Sequence, residues 1–225
     1  MGKEKKNNIL TPAQLNFLNL VAENSYLTKK YYFTGGTPLA HFYLKHRLSE
    51  DIDLFIEDSE VELLPINNFL SYAKEKLNIK KIDYRQIYGL HTFNLHYADH
   101  SVLKVDFNYY PFPRIEKGLN FNGIKVDSIY DIAVNKIHTI AQRPRAKDFI
   151  DIYFILKEKN FAIADLVMKA KSKFDWHIDP LHLGSRFLMA SDASDYPRML
   201  KPIKHEKWKS FFVEEARKLK KDIFL

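Results

Sequence analysis

Ser49-Glu50-Asp51-Ile52-Asp53-Leu54-Phe55-Ile56-Glu57 alternates polar and apolar residues with a period of two. That period predicts a β-strand with Ile52, Leu54 and Ile56 on one face and Asp51, Asp53 and Phe55 on the other. Two carboxylates aimed the same way repel each other unless a cation lies between them. Mg²⁺ prefers carboxylate and phosphate oxygens, so the pair points to a metal that also grips a nucleotide. A lone Asp-x-Asp is also an ordinary solvated strand face, and the flanking sequence has to decide.

Upstream, Tyr31-Tyr32-Phe33-Thr34 reads as a short strand ending at Gly35-Gly36. Thr37-Pro38 is a cap-then-proline signal. Leu39, Phe42, Tyr43 and His46 then follow at helical spacing. Glycines at such a turn let the main chain approach a phosphate closely. The N-terminus of the following helix adds free N–H groups, and Thr37 adds a hydroxyl. Downstream, Lys81–Tyr88, His91–Tyr97 and Val102–Tyr110 read as three more strands. The last puts Leu103, Val105, Phe107 and Tyr109 on one face, with Lys104, Asp106 and Asn108 on the other. Asp51, Asp53 and Asp106 on one sheet face would build a two-metal site. One ion would hold a triphosphate and the other would lower the pKa of an attacking hydroxyl.

The remaining chain frames this site. Thr11-Pro12-Ala13-Gln14 carries a capping box and opens a helix through Leu15, Leu18, Val21 and Ala22. A helix is expected from Val61 to Leu77, and a hairpin turn at Asn122-Gly123. Beyond that turn the texture becomes helical. Ser128 with Asp131 opens a helix through Ile132, Lys136, Ile137 and Ile140. Arg143-Pro144-Arg145 interrupts, and a further helix spans Ala146–Lys157. Later segments break near Asp179-Pro180, Tyr196-Pro197 and Lys201-Pro202. The expected class is α+β, a mixed-sheet core over residues 1–127 followed by a helical region over 128–225 that completes the active-site cleft.

Composition bounds the chemistry. The 225 residues include no Cys, which removes disulfides, thiolate metal sites and cysteine nucleophiles. The net charge of +7 favours polyanionic partners, nucleic acid or nucleotide phosphates. No apolar stretch is long enough to span a bilayer, and Met1-Gly2-Lys3-Glu4-Lys5-Lys6-Asn7-Asn8 lacks the apolar region of a signal peptide. No membrane partner is expected, and a cytoplasmic setting is. His91, His96 and His100 match no zinc spacing and read as core or solvated histidines. Asp175-Trp176-His177-Ile178-Asp179 with His182 reads as a packed helix junction. Lys201, Lys204, Lys207, Lys209, Arg217, Lys218, Lys220 and Lys221, with Trp208, Phe211 and Phe212, form a basic amphipathic helix. That helix is either a plain surface helix or a contact for RNA backbone or an acidic partner.

Gly35-Gly36-Thr37 followed by His46-Arg47-Leu48-Ser49-Glu50-Asp51-Ile52-Asp53-Leu54-Phe55 resembles the AbiEii/AbiGii-type nucleotidyltransferase toxins. These belong to the polymerase-beta-like superfamily and include the MenT toxins. The resemblance extends through Asp131-Ile132-Ala133-Val134-Asn135-Lys136 and Arg145-Ala146-Lys147-Asp148-Phe149-Ile150-Asp151-Ile152-Tyr153. It implies a nucleotidyltransferase fold and transfer of NMP from an NTP to an acceptor hydroxyl, an activity of the EC 2.7.7 type. The acceptor would be RNA, with the 3′ end of tRNA favoured. It implies Mg²⁺ or Mn²⁺ held by Asp51, Asp53 and Asp106, with Lys136 and Asp148 completing the catalytic set. It implies nucleotide contacts from Gly35, Gly36, Thr37, Lys136, Lys147 and Asp151. Arg47 and Ser49 either join that set or orient the Asp-x-Asp strand. In a toxin–antitoxin or phage-defence pair the partner would be a winged-helix antitoxin. A catalytically silent nucleotide- or RNA-binding module and a kinase-like phosphoryl transferase are the competing functions.

Overall fold

A computed structural model describes residues 9–177 and 179–221. The polar start Met1–Asn8 and Ile178 of the helix junction lie outside them. The chain divides into two compact units, residues 1–43 with 49–128, and residues 44–48 with 129–225. The second unit thus takes a five-residue segment, Leu44–Leu48, from the middle of the first half of the chain.

The first unit begins with α1 (Pro12–Glu23), whose Thr11–Gln14 capping box forms as expected. A short helix that the sequence reading missed, α2 (Ser25–Lys30), follows, with the Asn24 side chain accepting from the Leu27 N–H. Next come β1 (Tyr32–Thr34), α3 (Gly36–Pro38), β2 (Ile52–Ile56) and α4 (Leu63–Lys76). Then come β3 (Lys81–Ile87), β4 (Leu90–His96), β5 (Val102–Tyr109), β6 (Asn120–Phe121) and β7 (Ile124–Val126). The strands make one mixed sheet in the order β3-β4-β5-β2-β1-β7-β6. Asn122 and Gly123 join β6 to β7 with positive φ at both positions, 51° and 92°. That is the geometry an Asn-Gly hairpin turn needs.

Ile52, Leu54 and Ile56 are fully buried, and they share a core with Phe17, Leu18 and Val21 of α1, Ile66, Phe69 and Leu70 of α4, and Leu103, Val105 and Phe107 of β5. This leaves Asp51, Asp53 and Phe55 on the opposite side, as the period-two reading requires. The helix expected after Thr37 differs from the reading. The N-cap is Gly35, not Thr37, and beyond α3 the chain continues as a π-helix over Leu39–Leu44. It ends at Lys45 with φ 51°, so His46 stands outside it. The wider turn lets the Tyr43 hydroxyl donate to the Asp127 carbonyl at 2.8 Å.

The second unit is helical: α5 (Ile129–Gln142), α6 (Ala146–Glu158), α7 (Ile163–Phe174), α8 (Pro180–Leu188) and α9 (His205–Lys221). Asp179 caps α8 by accepting from the Leu181 N–H, and Pro180 occupies the first turn. His182 Nε2 bonds the Ala141 carbonyl at 2.9 Å, which makes the junction a packing feature. The apolar side of α9 packs inward. Trp208 stacks on Phe149 with centroids 6.1 Å apart, and Phe212 meets Phe149 at 4.8 Å and Phe187 at 5.4 Å. Leu44–Leu48 lies along the 198–201 stretch of the same unit, through Leu48 N–H to Arg198 O and Leu200 N–H to His46 O, both 2.8 Å.

Trp208 is fully buried at the centre of that aromatic cluster. Trp208→Ala is expected to cost about 3–5 kcal/mol in urea unfolding, because it deletes a large buried ring and leaves a cavity.

Candidate active site

The sheet pairing sets the geometry of the carboxylates in the first unit. β1 pairs β2 with Thr34 opposite Asp53, and β2 pairs β5 with Asp53 opposite Asp106. Asp51 precedes β2 by one residue, on the same side as Asp53. Asp53 lies against the Gly35 main chain. A Cβ built on Gly35 would stand 2.2 Å from Asp53 Oδ2, well inside contact distance. Gly35 also has φ +84°, which L-residues with side chains avoid. Glycine is therefore required twice here, by conformation and by space. The sequence reading gave these glycines a phosphate role; Gly35 also makes room for a carboxylate.

Thr37 is buried, and its hydroxyl donates to the Asp51 carbonyl. This ties α3 to the start of the Asp-x-Asp strand. Ser49 is fixed through its backbone, whose carbonyl accepts from Gln14 Nε2 at 2.9 Å. Below the turn, buried Asp127 accepts from Thr34 Oγ1 at 2.6 Å, and its N–H donates to the Phe33 carbonyl at 2.9 Å.

Lys104 is the site residue that the sequence reading left without a role. It sits two residues before Asp106 on the same strand face, which was the available signal. Its Nζ is 2.5 Å from Asp106 Oδ2 and 3.4 Å from Asp51 Oδ2. Burial disfavours its charge, but the Asp106 hydrogen bond and the charges of Asp106, Asp51 and Asp53 outweigh this and hold its pKa above the ordinary lysine value. Asp106 is 5% exposed, and its other oxygen accepts from Thr92 Oγ1 at 2.7 Å. The Asp51 side chain is 36% exposed and open to solvent. Among the described residues no three His, Asp or Glu side chains converge as a metal cage.

A second group of charges is buried in the helical unit. Asp151, with no exposed surface, accepts from Arg47 Nε at 2.7 Å and Nη2 at 2.8 Å, from His46 Nε2 at 2.6 Å, and pairs with Lys136 at 2.7 Å. Burial alone would raise its pKa. The Arg47 and Lys136 charges with the Arg47 and His46 hydrogen bonds reverse this and hold it well below the usual carboxylate range. Lys136 also pairs with Asp148 at 2.9 Å, and Asp148 accepts the Arg145 N–H at the start of α6. Asp148 and Asp151 thus share Lys136 of the preceding helix, α5. In this buried ion pair the Lys136 pKa is raised; burial opposes, and Asp148 and Asp151 win. Arg47 gives Nη1 to the Leu48 carbonyl, and Nε and Nη2 to Asp151. Lys147 is half-buried, and its pKa is lowered by burial first and by Arg145 and Lys136 next. The histidines read as core or solvated groups include one of each kind, buried His91 and partly exposed His96. His91 is buried beside Tyr84 with its pKa lowered by burial, and His96 pairs with Asp83 at 2.8 Å.

Comparison with known proteins agrees with the resemblance in sequence. Residues 17–218 match the family of the nucleotidyl transferase AbiEii toxin of type IV toxin–antitoxin systems, and the chain belongs to that family. It is 30% identical over 146 residues to the uncharacterized protein aq_aa25 of Aquifex aeolicus (strain VF5), spanning 64% of this chain and 66% of that relative. Two Helicobacter pylori crystal structures share the fold. A candidate nucleotidyltransferase superposes with TM-score 0.59 at 21% identity, over 95% of this chain and 97% of that one. JHP933 superposes with TM-score 0.58 at 21% identity, over 95% and 94%. Among the described residues no helix is long and apolar enough to cross a membrane.

Two outcomes follow from this geometry. Gly35→Ala should destabilise more than Gly123→Ala. Both have positive φ, but a Cβ at Gly123 meets nothing closer than 3.9 Å. The φ strain costs about 1–2 kcal/mol in each, and paired urea titrations isolate the Asp53 clash as the excess at Gly35. Stability should also fall with acid. The His46 pKa is lowered, by burial first, so from about pH 6.5 downward the unfolded chain takes up a proton that the folded one refuses. Asp151, depressed in the fold, adds a second loss as the pH falls below about 4. Melting temperature should hold from pH 8 to about pH 6.5 and fall from there to about pH 3, and His46→Gln should flatten the upper part of the fall.

Proposed function

We propose that the chain transfers a nucleoside monophosphate from an NTP to an acceptor hydroxyl, using a divalent cation, Mg²⁺ or Mn²⁺, held by Asp51 and Asp53. The observation that carries this reading is the Gly35–Asp53 contact. It aims a carboxylate from the middle of a sheet at a Gly-Gly turn, and the solvent-facing Asp51 stands beside it on the same face. Such a cation would neutralise triphosphate charge and orient the α-phosphate for in-line attack. The chain's own residues do the rest. Thr37 fixes the Asp51 backbone, and Gly35 fixes Asp53. The Gly35-Gly36 turn brings bare main chain to the phosphates. The acceptor oxygen forms a bond to the α-phosphorus as the bond to the pyrophosphate oxygen breaks, and the hydroxyl proton passes to water.

Membership of the toxin family supports a toxin role with a cognate antitoxin, for which a winged-helix protein is proposed. The net charge of +7 and the basic α9 support an RNA acceptor, and the 3′ end of tRNA is the proposed target. A cytoplasmic setting accords with that target.

The test is incubation of the purified chain with total RNA, Mg²⁺ and each NTP, labelled at the α- or the γ-phosphate. RNA should gain the α-label and not the γ-label, and Asp53→Asn should lose at least about a hundredfold of the transfer rate. Transfer of the γ-label would mean a kinase. No transfer to any acceptor, with cellular toxicity unchanged in Asp53→Asn, would mean a binding module.

A further inference from the structure

We propose that the carboxylate face of this sheet is a one-metal site, in which the Lys104 ammonium takes the place of a second divalent ion. The inference rests on the reading of Asp51 and Asp53 as metal ligands, and it revises the third position. Three carboxylates on a sheet face predict two ions, but this holds only if the third can take a metal. Asp106 is not. One of its oxygens accepts from Thr92 at 2.7 Å, the other from Lys104 at 2.5 Å, and the side chain is closed to solvent.

A Mg²⁺ ion on the Lys104-bonded oxygen would sit about 2.1 Å from it. With Nζ 2.5 Å from the same oxygen, the two cations could be no more than about 4.6 Å apart. Paired divalent ions stand about 3.5–4 Å apart, so distance alone permits this, but here the ion and the ammonium compete for one carboxylate oxygen. Seating that ion would therefore mean displacing the Lys104 ammonium from the Asp106 oxygen. The lysine is also built in. It lies on the strand that carries Asp106, two residues away on the same face, and its reach to Asp51 spans β5 and the start of β2. Lys104 thus cross-links the first and third carboxylates with one positive charge and leaves Asp51 and Asp53 to share a single divalent ion.

The test counts ions directly. Equilibrium dialysis of the full chain against Mn²⁺, with free Mn²⁺ read by electron paramagnetic resonance, should give one bound ion per wild-type chain. Lys104→Met keeps the aliphatic stem and removes the charge; it should bind two. Lys104→Gln serves if the methionine variant folds poorly by circular dichroism, and Lys104→Arg should stay at one. Two ions on the wild type would overturn the proposal, and so would a single ion on both folded neutral variants. Failure of the underlying reading looks different: it would show as no ion on the wild type, or as undiminished binding by Asp53→Asn.

Discussion

A Cβ on Gly35 would stand 2.2 Å from Asp53 Oδ2, so the close approach of this carboxylate to the Gly35 main chain needs a glycine there. The rest of the candidate site depends on it. β1 must run antiparallel to β2 so that Thr34 faces Asp53 and the next residue, Gly35, turns away with positive φ. Asp127 holds the end of β1 through the Thr34 hydroxyl. Thr37, at the start of the helical turn, returns to the Asp51 carbonyl and closes the arrangement. Glycine, carboxylate and hydroxyl form a single mechanical unit, although sequence inspection treats them as separate short motifs.

The charges of the two units obey different physics. In the first unit, Asp51 and Lys104 reach solvent, so their ion pair is weak enough to be exchanged for another cation. In the second, Asp151 is withdrawn from water and balanced by a bidentate arginine, a lysine and a histidine. Removing Arg47 or Lys136 there leaves an uncompensated buried charge, and such losses cost about 3–5 kcal/mol. That network anchors Leu44–Leu48, the segment immediately ahead of the Asp-x-Asp strand in sequence, within the helical unit.

Much of this was legible in the residues. The alternation of Ile52, Leu54 and Ile56 with the aspartates gave the strand and its faces. The Thr11 capping box and the Asn122-Gly123 turn gave element ends, because those signals are local. What was not legible depended on distant partners. The π-helix after Pro38 is such a case, since its wider turn serves a bond from Tyr43 to Asp127, 84 residues away. Arg47 and Asp151 are 104 residues apart, so no local pattern in the sequence pairs them. Lys104 was visible on the Asp106 face, but strand periodicity says which way a side chain points and not what it holds.

The claim beneath all of this is that Asp51 and Asp53 are metal ligands. Crystals of the chain soaked in Mn²⁺ with a non-hydrolysable NTP analogue would test it through anomalous scattering. The account predicts a strong anomalous peak coordinated by both the Asp51 and Asp53 carboxylates and by phosphate oxygens. An ordered nucleotide with no peak at that pair, or with its only peak elsewhere, would contradict it.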